Sequence, residues 1–107
     1  MDNKEMVDKL EKLFNELLNI IEQHGKGEID YQISEVRYVV NLLRENINNE
    51  YSDSEDIINE IKTIRKNLYP ARGGLSEFFI WKNDVKERIK VNEPLSRVGD
   101  EIWKLLK

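Results

Sequence analysis

Cysteine is absent from the 107 residues, which excludes a disulfide framework, a thiolate zinc site and a thiol nucleophile. Proline occurs twice and glycine five times, so few positions force the chain to turn. Stretches rich in Val, Thr and Tyr are nearly missing, which argues against a sheet. No apolar run approaches the roughly 20 residues that span a bilayer. The charged opening Met1-Asp2-Asn3-Lys4-Glu5 lacks the apolar core of a signal peptide, so a cytoplasmic location and no membrane association are expected.

Hydrophobic residues make up 39% of the chain and charged residues 36%. Those proportions suit one helical domain over residues 1–107, with a narrow apolar stripe on each helix and charge elsewhere. The net charge of −4 hides an asymmetry. Residues 1–60 hold 15 acids and 6 bases, whereas residues 61–107 hold 6 acids and 11 bases. Such a division bears on partners and steering, or on mutual neutralisation where helices meet.

Met6, Leu10, Leu13, Phe14, Leu17, Ile20 and Ile21 recur at helical spacing and predict a first helix ending near His24, before Gly25-Lys26-Gly27. A second helix is predicted from Asp30, its expected cap, to Asn48, with Ile33, Val36, Val40, Leu43 and Ile47 facing inward. Ser52-Asp53-Ser54-Glu55 matches a capping box and opens a third helix carrying Ile57, Ile58, Ile61, Ile64 and Leu68, which Pro70 stops. Ser76 is a candidate cap for a helix bearing Phe78, Trp81, Val85 and Ile89. The run Phe78–Trp81 is too short to separate helix, strand and turn. Asn92-Glu93-Pro94 is the expected start of a last helix with Leu95, Val98, Ile102, Leu105 and Leu106 inside, and Gly99 suggests a close contact. The expected fold is all-α, an up-and-down antiparallel bundle of four to five helices with an irregular loop near 69–76.

Reactive chemistry is poorly served. His24 is the only histidine, and its position at a helix C-terminus suits a dipole contact better than catalysis. Asp53, Glu55, Asp56 and Glu60 lack the central glycine and terminal glutamate of a calcium loop. Arg72-Gly73-Gly74 lacks the lysine and spacing of a nucleotide loop. No enzyme activity, cofactor or metal is therefore expected. Lys62, Arg65, Lys66, Arg72, Lys82, Lys86, Arg88 and Lys90 interleave with Tyr69, Phe78, Phe79 and Trp81, a pattern that suits single-stranded nucleic acid. Glu77, Asp84 and Glu87 in the same stretch, and a pI of about 5.1, count against it. A nucleic-acid-binding or regulatory module over 62–90 is the second reading.

A protein partner is the first. Tyr69, Arg72 and Trp81 are of the residue types enriched at interface hot spots. The first 60 residues offer an acidic surface suited to steering toward a basic partner. The stretch Tyr69-Pro-Ala-Arg-Gly-Gly-Leu-Ser-Glu-Phe-Phe-Ile-Trp-Lys82, with Asn92-Glu-Pro-Leu95 and Glu101-Ile-Trp103, resembles bacterial immunity proteins, the small, often helical antidotes to antibacterial toxins. The resemblance spans roughly the last 40 residues and implies stoichiometric inhibition of a cognate toxin domain. Glu50, Asp53, Glu55, Asp56 and Glu60 would then steer and Tyr69, Arg72 and Trp81 anchor.

Overall fold

The computed structural model describes every residue, Met1–Lys107, and the helical stripes meet much as their spacing requires. Four α-helices form: α1 (Asn3–His24), α2 (Asp30–Asn48), α3 (Ser54–Leu68) and α4 (Val85–Leu106), with a single 3-10 turn at Gly74–Ser76. There is no strand. α1 lies at the centre, packed on α2, α3 and α4. From it Val7, Leu10, Phe14, Leu17 and Ile21 are fully buried and meet Val36, Val39, Leu43, Ile61, Val98 and Ile102. Each such side chain contributes on the order of 1.5–3 kcal/mol of apolar transfer free energy. No helix is long and apolar enough to cross a membrane.

Neighbouring helices alternate in direction. Arg37 of α2 pairs with Glu22 of α1, and Arg44 pairs with Glu11. α4 returns along α1, with Arg97 bound to Glu16 and Leu105 beside Lys9 and Leu13. The bundle is elongated, 47 × 24 × 23 Å, because the first turns of α4 overhang the end of the other helices. Only Val98, Ile102 and Leu106 of α4 are buried, all in its second half.

Four expected helix starts are corrected. Asp30 is not the cap of α2; Ile29 occupies that position, and the Asp30 carboxylate accepts from the Gly27 N–H at 2.7 Å. The box at Ser52 does not form, since Asp53 stands at the cap in left-handed geometry and makes no side-chain cap bond. The neighbouring Ser54 hydroxyl turns inward instead, donating to Asn46 Oδ1 and lying 2.7 Å from the Tyr51 carbonyl oxygen. Ser76 caps no α-helix; its hydroxyl donates to the Pro70 carbonyl at 2.6 Å. The run Phe78–Trp81 is neither helix nor strand.

α4 starts at Val85 rather than at Pro94, capped by Asp84, which accepts from the Lys86 N–H at 2.9 Å. Pro94 therefore sits inside a continuous helix, where it removes one backbone donor and crowds the carbonyl four residues back, at Lys90. The cap at Asp84 and the side chain of Asn92, whose Nδ2 lies 2.8 Å from the Arg88 carbonyl oxygen, hold the helix on the N-terminal side of the proline. The close contact at Gly99 is an ordinary one, since a Cβ there would lie 3.5 Å from the Tyr69 hydroxyl.

Candidate binding cleft and aromatic face

The chain has two polar regions, at opposite ends of α3, about 21 Å apart for 15 helical residues at the usual rise. At the first end Glu50 and Asp53 line an open hollow with Glu45, and Glu55 and Asp56 stand exposed in the first turn of α3. Glu60 lies partway along and accepts from the Tyr38 hydroxyl at 2.6 Å, tying α3 to α2. The Glu60 carboxylate in turn raises the pKa of that phenol, first by the hydrogen bond and then by its charge. His24 is half-buried in the last turn of α1. No group of three His, Asp or Glu side chains gathers to hold a metal ion.

The other end is built by the 16-residue connection from Tyr69 to Asp84. Gly74 needs its missing side chain: a Cβ would come within 2.8 Å of the Leu68 carbonyl oxygen, and its φ of +56° is left-handed. The chain then runs back beside α4, where Asn92 holds it. The Ile80 N–H donates to Asn92 Oδ1 at 2.9 Å, and Asn92 Nδ2 donates to the Ile80 carbonyl at 2.8 Å. One amide side chain thus takes the place of a partner strand. Nδ2 also lies 2.8 Å from the Arg88 carbonyl oxygen, one turn back in α4.

Because Ile80 is held inward, its neighbours point out. Phe79 is 49% exposed and Trp81 65%, and the two rings meet edge to face with centroids 6.4 Å apart. The Arg88 guanidinium lies 4.5 Å from the Trp81 ring centroid, and the indole N–H faces Asn83 Oδ1 at 3.3 Å. Val85 and Ile89, one turn apart on the overhanging start of α4, are also exposed. Arg72 is exposed on the same connection.

Beside this face lies a cleft of about 630 Å³ between the end of α3, the connection and α4. Tyr69 lines it, its hydroxyl buried without a partner. Burial, reinforced by the nearby Asp100 carboxylate, pushes the phenol pKa up to about 12. Arg65 also lines the cleft; it is 9% exposed, its Nε has no partner, and its guanidinium stacks 4.4 Å from the centroid of Trp103.

The eight residues expected to bind a partner therefore do not form one surface. Glu50, Asp53, Glu55 and Asp56 sit at one end of α3, Tyr69, Arg72 and Trp81 belong to the other, and Glu60 lies between. In sequence Arg65 reads as one more cation near the negative end of α3. Its position, four after Ile61 and three before Leu68, is the signal that it faces inward. Asn92 and Trp103 carry no comparable local signal, because each matters through a contact with a segment distant in sequence.

The fold and this end of it define a four-helix bundle with an aromatic face beside a polar-floored cleft. No protein-family model matches the chain, and no match was found among curated proteins or solved structures.

Proposed function

We propose that the chain is a non-catalytic binding protein of the immunity type, acting in the cytoplasm by occupying a cognate antibacterial toxin domain. The observation that carries this reading is the face of Phe79, Trp81, Val85 and Ile89, four large apolar side chains each about half exposed or more. Apolar side chains gathered at the surface and rimmed by charge mark interaction sites. Arg88, lying on Trp81, joins two residue types enriched at interface hot spots. The Asn92 clamp keeps the face in one conformation, which lowers the ordering cost of association.

The acidic end of α3 serves a second role on this reading. A nuclease toxin is basic because it grips phosphates, so Glu50, Asp53, Glu55 and Asp56 draw it in at long range while the aromatic face makes the short-range contact. Nucleic-acid binding through 62–90 is the weaker reading. Arg65 points into the bundle and Arg88 lies on Trp81, which leaves fewer free cations to follow a phosphate backbone.

The test uses the intact chain as bait in an extract of its own cells, beside a Trp81→Ala, Ile89→Ala double variant. A toxin domain retained by the first and lost from the second is expected, and its co-expression with the wild-type chain should restore growth. Identical capture by both baits, or a captured domain whose toxicity is unaffected, would discard the proposal. Retardation of single-stranded oligonucleotide at low salt would favour the weaker reading instead.

A further inference from the structure

Three polar side chains are buried in this protein: Asn46, Ser54 and Arg65. Asn46 and Ser54 bond to one another and to the backbone around them. Arg65 is different. No carboxylate pairs with it, since the ion pairs of the chain involve Arg37, Arg44 and Arg97 only, and its Nε faces no acceptor. A buried guanidinium without a paired counter-charge is costly, because its Nε has left water and gained no acceptor in return. The same cleft holds the second unpartnered group, the Tyr69 hydroxyl. Two donors lacking acceptors, lining one cavity, describe the chemical complement of what belongs there.

We propose that the cleft between α3 and α4 binds a single carboxylate attached to an apolar or aromatic body, with Arg65 and the Tyr69 hydroxyl as its donors and Phe78, Phe79 and Leu95 around the body. The charge balance favours a carboxylate over a phosphate. Arg65 is the only cation lining the cleft and no carboxylate pairs with it, while Asp100 adds a negative charge to the same lining, so a doubly charged ligand would be poorly matched. A guanidinium offers a planar carboxylate two parallel N–H bonds along one edge. The Trp103 ring beneath Arg65 holds the guanidinium plane in place for that approach. Because Tyr69 stays a neutral phenol far into the alkaline range, it remains a donor at every ordinary pH. The size also fits: about 630 Å³ lies within the roughly 300–1,000 Å³ usual for small-ligand sites. The carboxylate has two sources that the test separates, a free aryl-alkanoic acid and the C-terminus of a peptide ending in an aromatic residue. The site does not depend on the immunity reading, since neither source requires a toxin.

Calorimetric titration with 3-phenylpropionate, with its neutral amide, and with a short peptide ending in phenylalanine, as free acid and as C-terminal amide, tests the proposal. Saturable binding of the acids and at least tenfold weaker binding of both amides are expected. Arg65→Met should weaken the acids at least tenfold while its melting temperature is unchanged or higher, because an unpaired buried charge has been removed. Tyr69→Phe should weaken them several-fold with the fold intact, and it carries the test alone if Arg65→Met fails to fold. Binding of acid and amide with equal affinity, acid binding unaffected by either substitution, or no binding of any probe at millimolar concentration would overturn the site. Where the acids bind, tighter binding of the peptide assigns the carboxylate to a chain terminus, and equal or tighter binding of phenylpropionate assigns it to a small acid.

Discussion

The two connections flanking α3 solve the same problem in opposite ways. The turn from α2 to α3 takes five residues, Asn49 to Asp53, and three of them, Glu50, Tyr51 and Asp53, have left-handed φ values of 56°, 63° and 59°. None is glycine, so each costs on the order of 1–2 kcal/mol. What holds them is a closed polar network: Asn46 Nδ2 donates to the Ser52 carbonyl at 2.7 Å, Ser54 donates to Asn46, and the Tyr51 hydroxyl donates to Asp8 at 2.6 Å. The connection from α3 to α4 takes 16 residues, is held at few points, and leaves exposed aromatic rings and the unpartnered Tyr69 hydroxyl behind. Loops longer than about 12–15 residues in compact domains tend to be functional. The contrast separates a region built for stability from one left open for a ligand or partner.

Removing the hub of the tight turn should produce the largest effect. Asn46→Ala deletes two hydrogen bonds at a position 1% exposed, strands the Ser52 carbonyl and leaves the Ser54 hydroxyl only the Tyr51 carbonyl. A loss of about 3 kcal/mol is expected, read from the urea midpoint, since buried groups are left unsatisfied around strained backbone. A loss under about 1 kcal/mol would mean that the turn is held by packing and that the two connections do not differ in this way.

Tyr69→Phe should behave in the opposite sense. Below pH 10 the variant is as stable as the wild type or slightly more so, because the deleted hydroxyl is buried without a partner. Above pH 10 the curves diverge. Unfolded Tyr69 loses its proton near 10, while the folded phenol keeps it to about 12. The folded state then binds more protons, so wild-type stability falls as pH rises through that window. Two units correspond to roughly 2–3 kcal/mol by pH 12. The phenols of Tyr31, Tyr38 and Tyr51 are also raised by neighbouring carboxylates, but both proteins share them, so the difference isolates Tyr69. Parallel alkaline melting curves would contradict its burial as a free phenol.

Asn92→Ala distinguishes global from local support. It removes the clamp on Ile80, at the edge of the bundle rather than in its centre, so a global loss of only about 1–2 kcal/mol is expected. The segment 77–84 should exchange its amide hydrogens faster and be cut first by protease. Unchanged exchange at Ile80 would mean that Phe78 and Ile80 are held by packing alone.

The all-helical fold was legible because it depends on local periodicity. The ends of α1, α2 and α3 follow from Gly25, the asparagines after Ile47 and Pro70, each of which acts on its own neighbours. The helix starts were less legible, and the reason is competition among partners. Ser52 and Ser54 both suit a cap, but only the tertiary position of Asn46 decides that Ser54 turns inward. Pro94 reads as a first-turn residue, yet the cap at Asp84 and the clamp at Asn92 start the helix two turns earlier despite it. At the cleft, Tyr69 was visible as a residue type enriched at hot spots, whereas the stacking of Arg65 on Trp103 joins residues 38 apart in sequence.

The smallest expected effect concerns the acidic end. Glu55→Lys together with Asp56→Lys reverses two exposed charges in the first turn of α3, where the helix dipole favours acids. A loss of about 1 kcal/mol is expected at low ionic strength, fading toward zero near 1 M salt, since exposed charges are screened within a few ångströms there. Glu60 is left in place because its bond to Tyr38 would add a structural loss unrelated to the field. With a captured partner in hand, the same variant should slow association at low salt while leaving dissociation unchanged, because these acids stand at the end of α3 away from the connection that carries the aromatic face and act only through space. A faster dissociation would instead put Glu55 and Asp56 inside the contact. The partner would then span the whole length of α3, and the two ends would no longer be separate in function.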